Sequence, residues 1–158
     1  MMNRGCLAAS VGIAALLAVA ATAFADSDAE TIAAGNKAPY GAYLTADDGH
    51  AVYMFTGDHD NGTSACQDAC AKAWPPVTTG AAPVAGAGIQ AGLLGTLKRG
   101  DAMQVTYDGK PLYYFVGDKS AGTTAGENIT HFGGSWYLVS PGGKGIGPTG
   151  AAEGNGSW

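Results

Sequence analysis

Cys66 and Cys70 stand four residues apart in ACQDACAKAW. As thiolates at helical spacing they could clasp a soft metal, Cu(I) or Zn²⁺, with His50, His59 or His131 as a third donor. As an oxidised pair they would form a small staple, because α-carbons four apart in a helix lie about 6 Å from each other, inside disulfide range. Of the three cysteines, Cys6 lies in an expected signal peptide, and the even count of two that remains in an exported chain favours the disulfide. Asp58 and Asp118 form the second candidate set. Each closes the same phrase, DGHAVYMFTGD at 48–58 and DGKPLYYFVGD at 108–118. Brought together, two carboxylates could bind a cation or share acid/base work. Held apart, each would fold onto nearby backbone N–H groups, the usual role of Asp at a strand exit, and this is the expectation here.

No other chemistry is written in the chain. There is no G-x-S-x-G, phosphate-binding loop, C-x-x-C-H or H-E-x-x-H. DHDNGT (58–63) has Gly at its fifth position and Ala69 at its twelfth, where an EF-hand loop needs Gly sixth and Glu twelfth. No catalytic residue is assigned, no enzyme is expected and no cofactor is required. The alternative is a periplasmic copper or redox protein using Cys66, Cys70 and a histidine such as His59 or His131.

The elements that must position these residues are repeated. Aligned without gaps, 48–65 and 108–125 share nine of eighteen residues, against one or two expected by chance, so the halves read as copies of one unit. Asp48-Gly49 and Asp108-Gly109 are hairpin-turn dipeptides. They are flanked by strand-like runs, AYLTA and AVYMFT in the first copy, AMQVTY and PLYYFV in the second. In the outgoing strand Tyr53 and Phe55 face one way, Val52 and Met54 the other; Tyr113 and Phe115 repeat this against Leu112 and Tyr114. Both faces are apolar, so the strand belongs in the middle of a core. One hairpin is not stable alone in water; two can bury their aromatic strands against each other. Ser64-Ala65-Cys66-Gln67 fits a capping box ahead of a short helix, about 64–74, that ends at Pro75-Pro76. Thr124 to Glu127 fits the box again, but the following GENITHFGGSW should make a turn at most, before a closing strand at 136–140.

The fold expected is mainly β: two pseudo-repeat β-hairpin units packed into one small antiparallel β domain, with one short α-helix. Residues 1–25 read as a signal peptide, a cationic head and an apolar run with cleavage after Ala25. Residues 26–38 should be disordered, 39–77 form unit 1, 78–93 a Gly/Ala/Pro-rich connector, 94–141 unit 2, and 142–158 a disordered Gly-rich tail. Losing Arg4 with the leader leaves seven basic against thirteen acidic side chains. That balance argues against nucleic acid and anionic lipid. The expected location is the periplasm or the exterior, with no stable membrane insertion after cleavage. The partner is left as an envelope component or small molecule.

The motif residues Tyr53, Phe55 and Asp58, with Tyr113, Phe115 and Asp118, fit Y-x-[FWY]-x-x-D twice. CQDACAKAWPPV (66–77), LGTLKRGD (94–101) and GGSWYLVSP (133–141) extend the pattern. The chain thereby resembles a bacterial family of predicted lipoproteins, a secreted repeat of unknown function. The resemblance implies a small, exported, two-unit protein of uncharacterised function and assigns no catalytic residues; the function expected here is a non-catalytic binding or envelope-associated module of unknown ligand. Many members carry a lipid-anchoring cysteine; here Cys6 precedes the apolar run and nothing near Ala25 can be acylated.

Overall fold

The computed structural model describes residues 28–59 and 63–147; the expected leader and residues 148–158 of the tail lie outside them. In chain order the elements are β1 (Thr31–Lys37), β2 (Gly41–Thr45), β3 (Tyr53–Phe55), α1 (Asp68–Ala73), β4 (Thr78–Thr79), β5 (Val84–Ala85), a single 3₁₀ turn (Ala91–Leu93), β6 (Leu94–Arg99), β7 (Ala102–Tyr107), β8 (Lys110–Pro111), β9 (Ile129–His131) and β10 (Gly134–Leu138). The architecture is mainly β with one short helix, as expected.

The two repeats are built alike. β1 pairs antiparallel with β2 from Ala33↔Thr45 to Lys37↔Gly41, and β6 pairs with β7 from Leu94↔Tyr107 to Arg99↔Ala102. Asp108 and Gly109 take positive φ (49° and 74°) and turn β7 into β8, the two-residue turn whose twist matches a hairpin. The earlier turn uses Asp47, Asp48 and a positive-φ Gly49.

The closing segment of each repeat pairs with the aromatic strand of the other. β10, from the second repeat, lies antiparallel to β3 with Trp136↔Phe55 and Leu138↔Tyr53. Residues 73–76, from the first repeat, do the same for 113–116: Val116 N–H donates to Ala73 O, Tyr114 N–H to Pro75 O, and Pro76 bridges Tyr113. Tyr53 and Tyr113 exchange both backbone hydrogen bonds, at 2.9 and 3.0 Å. An approximate twofold axis therefore passes between them.

The side chains obey the same axis. Phe55 stacks on Trp136 (4.2 Å between ring centroids), Trp136 on Trp74 (3.9 Å) and Trp74 on Phe115 (4.3 Å). Tyr53 meets Trp74 edge-on at 5.4 Å and Tyr113 meets Trp136 edge-on at 5.2 Å, the geometries that the ring quadrupole favours. Val52, Met54, Leu112 and Tyr114 point away from this stack into a second cluster with Leu44, Val105 and Val139. The strand read as apolar on both faces is thus covered on both. Gly57 and Gly117 are required by this packing: a Cβ at either would lie 2.5 or 2.3 Å from its own Phe55 or Phe115 ring.

Several expectations need correction. Residues 31–37 form β1 rather than a disordered segment. TIAAGNK has weak strand propensity, but β2 supplies a ladder and Ile32 is fully buried. The 78–93 connector holds β4, which pairs with β7, and β5, which pairs parallel with β1. Unit 1 therefore begins near residue 31, not 39, and β1 is the counterpart of β6. The helix starts at Asp68 rather than Ser64, and Gln67 at its N-cap makes no side-chain cap. The stretch after Glu127 holds β9, which pairs with β10 from Ile129↔Trp136 to His131↔Gly134, where only a turn was expected. Residues 142–147 are ordered onto β10: Ile146 N–H donates to Leu138 O and Ile146 is buried. In the added strands, pairing with a neighbouring hairpin arm or a distant strand stabilises segments whose local sequence is too poor in apolar residues to signal them.

Truncating either central ring should cost most of the fold's stability. Trp74→Ala and Trp136→Ala are each expected to lower the unfolding free energy by about 4 kcal/mol in urea titrations; a loss below about 1 kcal/mol at either would contradict the shared stack.

Candidate functional site

The repeated Tyr and Asp residues meet across the twofold. Tyr53 Oη donates to Asp118 Oδ2 at 2.6 Å, and Tyr113 Oη donates to Asp58 Oδ2 at 2.7 Å. The second oxygen of each Asp accepts a backbone N–H seven residues on, Ala65 for Asp58 (2.8 Å) and Ala125 for Asp118 (2.7 Å). Both carboxylates are buried, 9% and 7% exposed. The expectation that they fold onto nearby N–H groups describes half of the arrangement; the other half is a phenol from the opposite repeat. They do not form a shared pair. Burial raises the Asp58 carboxyl above its usual range, against the Tyr113 and Ala65 hydrogen bonds that lower it. Burial, chiefly, also raises both phenols, so they stay protonated as donors.

The surroundings of the two clasps differ, and the differences gather on one side. Around Asp58, Tyr113 Oη and Ser64 Oγ lie 2.7 Å apart, and Arg99 Nη1 donates to Ser64 Oγ at 2.7 Å. The phenol has one proton and gives it to Asp58, so the serine supplies the proton of the Tyr113–Ser64 contact. The chain runs one way, from a guanidinium that only donates to a carboxylate that only accepts. Arg99 also donates to Gln104 Oε1 at 2.9 Å and to the Cys66 carbonyl. On the other side Lys37 stands where Arg99 does, donating to Gly122 O (3.0 Å) and Thr124 Oγ1 (3.2 Å). Gly126 stands where Cys66 does; a Cβ there would lie 2.8 Å from the Tyr53 ring and 2.9 Å from Trp74. Beside Arg99 an open pocket of about 430 Å³ is lined by residues that include Ser64, Gln67, Lys98 and Arg99.

Cys66 and Cys70 are bonded to each other, with α-carbons 5.2 Å apart, and both are buried. In this state neither offers a thiolate. His50 Nδ1 lies 2.9 Å from Asp48 Oδ2, the His131 ring lies against Phe132, and His59 is exposed at the end of the first motif. Among the described residues no three His, Cys, Asp or Glu side chains gather as a metal site, so Cys66, Cys70 and the candidate histidines His50, His59 and His131 are not brought together. Ser64 is a poor nucleophile here: Arg99 donates to its Oγ, and the group that takes its proton, Tyr113 Oη, is a protonated phenol rather than a base.

Sequence reasoning missed Arg99, Ser64, Gln104 and Glu127. Ser64 and Thr124 were seen only as helix caps. The signal for Arg99 was its counterpart Lys37, hidden because the β1–β2 loop is longer than the β6–β7 loop. Glu127 Oε2 accepts the Leu138 N–H at 2.5 Å, while Oε1 is buried and has no partner among the described residues. Burial pushes its carboxyl up to about 7, and a neutral acid with its proton on Oε1 fits that setting.

Fold and site together define a duplicated β module whose repeated motif locks one half to the other. The chain belongs to the family described as a secreted repeat of unknown function, whose model matches residues 36–78 and 95–140, one stretch in each repeat. No curated protein and no solved structure matches it. Among the described residues no helix is long and apolar enough to cross a membrane.

The crossed clasp has a specific thermodynamic signature. Tyr53→Phe and Tyr113→Phe should each cost about 2 kcal/mol, the scale for a hydrogen bond to a charged group. In double-mutant cycles Tyr53→Phe should couple to Asp118→Asn by about 1 kcal/mol or more, and to Asp58→Asn by less than about 0.5 kcal/mol; the reverse pattern would refute the crossing. Glu127 predicts a pH dependence. Its proton is held more tightly in the folded chain (about 7) than at its ordinary value of 4.5. The stabilisation is complete below about pH 4.5 and is lost as pH rises through 7. Discounted for partial solvent access it amounts to about 1 kcal/mol, and Glu127→Gln should flatten that part of the stability–pH curve relative to the parent.

Proposed function

We propose that this protein is a non-catalytic binding or envelope-associated module that works in the periplasm or outside the cell after its leader is removed behind Ala25. The observation that carries this reading is the occupation of the motif. Every polar atom of the Tyr53–Asp118 and Tyr113–Asp58 pairs that could act on a substrate is buried and bonded within the fold. A general acid or base must reach a substrate atom, and these do not. The motif is therefore architecture, and recognition falls to what the Asp58 side of the scaffold adds to it: the Cys66–Cys70 staple, Arg99 and the pocket beside them. The family description supports export, and the apolar Cys6–Phe24 run followed by Ala25 supports cleavage there.

Two measurements test this. N-terminal sequencing of the exported protein should begin at Asp26; an uncleaved or lipidated N-terminus would overturn the leader assignment. Ester, phosphate and glycoside substrates incubated with the full chain should turn over no faster than in buffer. A faster rate that disappears in Asp58→Asn or Asp118→Asn, with the variant still folded, would replace the binding reading with a hydrolase.

A further inference from the structure

The twofold relates two strand edges, one covered and the other, among the described residues, bare. On β1 the outward-facing groups are occupied by the connector. Val84 N–H donates to Glu30 O (2.8 Å), Gly86 N–H to Ile32 O (2.7 Å), and Ala34 N–H to Ala87 O (2.9 Å). The covering strand runs parallel to β1, with Thr31↔Val84 and Ile32↔Ala85. The counterparts of Ile32 and Ala34 on β6 are Leu94 and Thr96. The Arg99↔Ala102 hairpin pair sets the alternation: Gly95, Leu97 and Arg99 bond inward to β7, while Thr96 and Lys98 face out. Among the described residues the backbone N–H and C=O groups of Thr96 and Lys98 have no partner, and both residues are exposed. An unpaired strand edge of this kind is a template for another strand.

The forward end of that edge leads into the pocket beside the Asp58 clasp, since Leu97, Lys98, Arg99 and Gly100 line it. A strand laid on β6 in the direction that β5 takes on β1 would bring its C-terminal end to this pocket. There it would meet Lys98, and Arg99 with three of its five N–H donors engaged and two without a partner among the described residues. Two cations at the receiving end of a bare strand edge select a carboxylate.

We propose that β6 is a strand-addition site for an extended segment of a partner polypeptide, running parallel to β6 with a carboxylate at its C-terminal end held by Lys98 and Arg99. Main-chain hydrogen bonds to Thr96 and Lys98 hold the segment, and the pocket selects its acidic end. The proposal rests on the binding-module reading and names the partner class. On β1 a Cβ at Gly86 or Gly88 would lie 2.9 Å from Ala33 or Ala34; on β6 the counterpart of Ala33 is Gly95.

Amide hydrogen exchange by NMR on the full chain tests it. The probe is a synthetic peptide with the sequence of residues 83–88 followed by one aspartate and a free C-terminus. The Thr96 and Lys98 amides should exchange quickly in the free protein while Gly95 and Leu97 are protected. They should slow by about tenfold once peptide reaches about ten times its dissociation constant. A peptide with asparagine and a C-terminal amide should bind more weakly, as should the Lys98→Glu variant. Thr96→Pro removes an outward N–H and no β7 hydrogen bond, so it should stay folded and lose the effect. Protection of Thr96 and Lys98 in the free protein would overturn the proposal; size-exclusion and a chain ending at residue 147 would then show whether a second copy or the tail covers the edge. Fast exchange unchanged by peptide would overturn it too, while leaving the hydrolysis test of the binding reading untouched.

Discussion

A buried carboxylate must be hydrogen-bonded, and the phenol that satisfies each motif carboxylate comes from the other repeat. Asp58 takes Tyr113 and Asp118 takes Tyr53. The rest of the domain follows from that constraint. For both bonds to form, the two aromatic strands must lie antiparallel with Tyr53 opposite Tyr113, which brings Trp74 and Trp136 face to face beneath them. Neither repeat completes this arrangement alone: without its partner each would leave a desolvated Asp with one backbone N–H and its Trp with both faces bare. Duplication here is a requirement of the core.

On a scaffold this symmetric, departures from symmetry carry information. Shared features, the clasps, the ring stack and the glycines under Phe55 and Phe115, maintain the fold. Features present once are free to serve another purpose. The disulfide, the guanidinium in place of Lys37, the pocket and the uncovered strand edge all occur on the same side of the axis. The disulfide contributes locally. It closes a loop so short that chain entropy yields only about 2 kcal/mol, but it holds the turn whose Cys66 carbonyl accepts from Arg99. That ties the helix start to the end of β6, so the pocket wall is braced from both sides.

Much of the fold was legible because its signals are local. The period-two pattern of VYMF and LYYF, the Asp-Gly turns and the repeated phrase specify the hairpins, the two-sided burial of the aromatic strand and the need for two copies. The paired cysteines were legible from count and compartment. β1, β5 and β9 were not, because Gly-, Ala- and Asn-rich stretches carry no periodicity strong enough to announce a strand. Their pairing depends on partners 12 to 53 residues distant or on a neighbouring hairpin. The Arg99–Ser64–Tyr113–Asp58 chain was illegible for the same reason: its members come from the β6 end, the loop before α1, and both aromatic strands.

By itself the sequence determined the β character, the duplication, the leader-like N-terminus and the motif positions, since propensity, alternation and self-similarity are properties of neighbouring residues. Tertiary structure alone decided that each Asp answers to the Tyr of the other copy, and that one outer edge is covered while its twin is open among the described residues. Those outcomes turn on which surfaces meet across an axis that no stretch of chain contains.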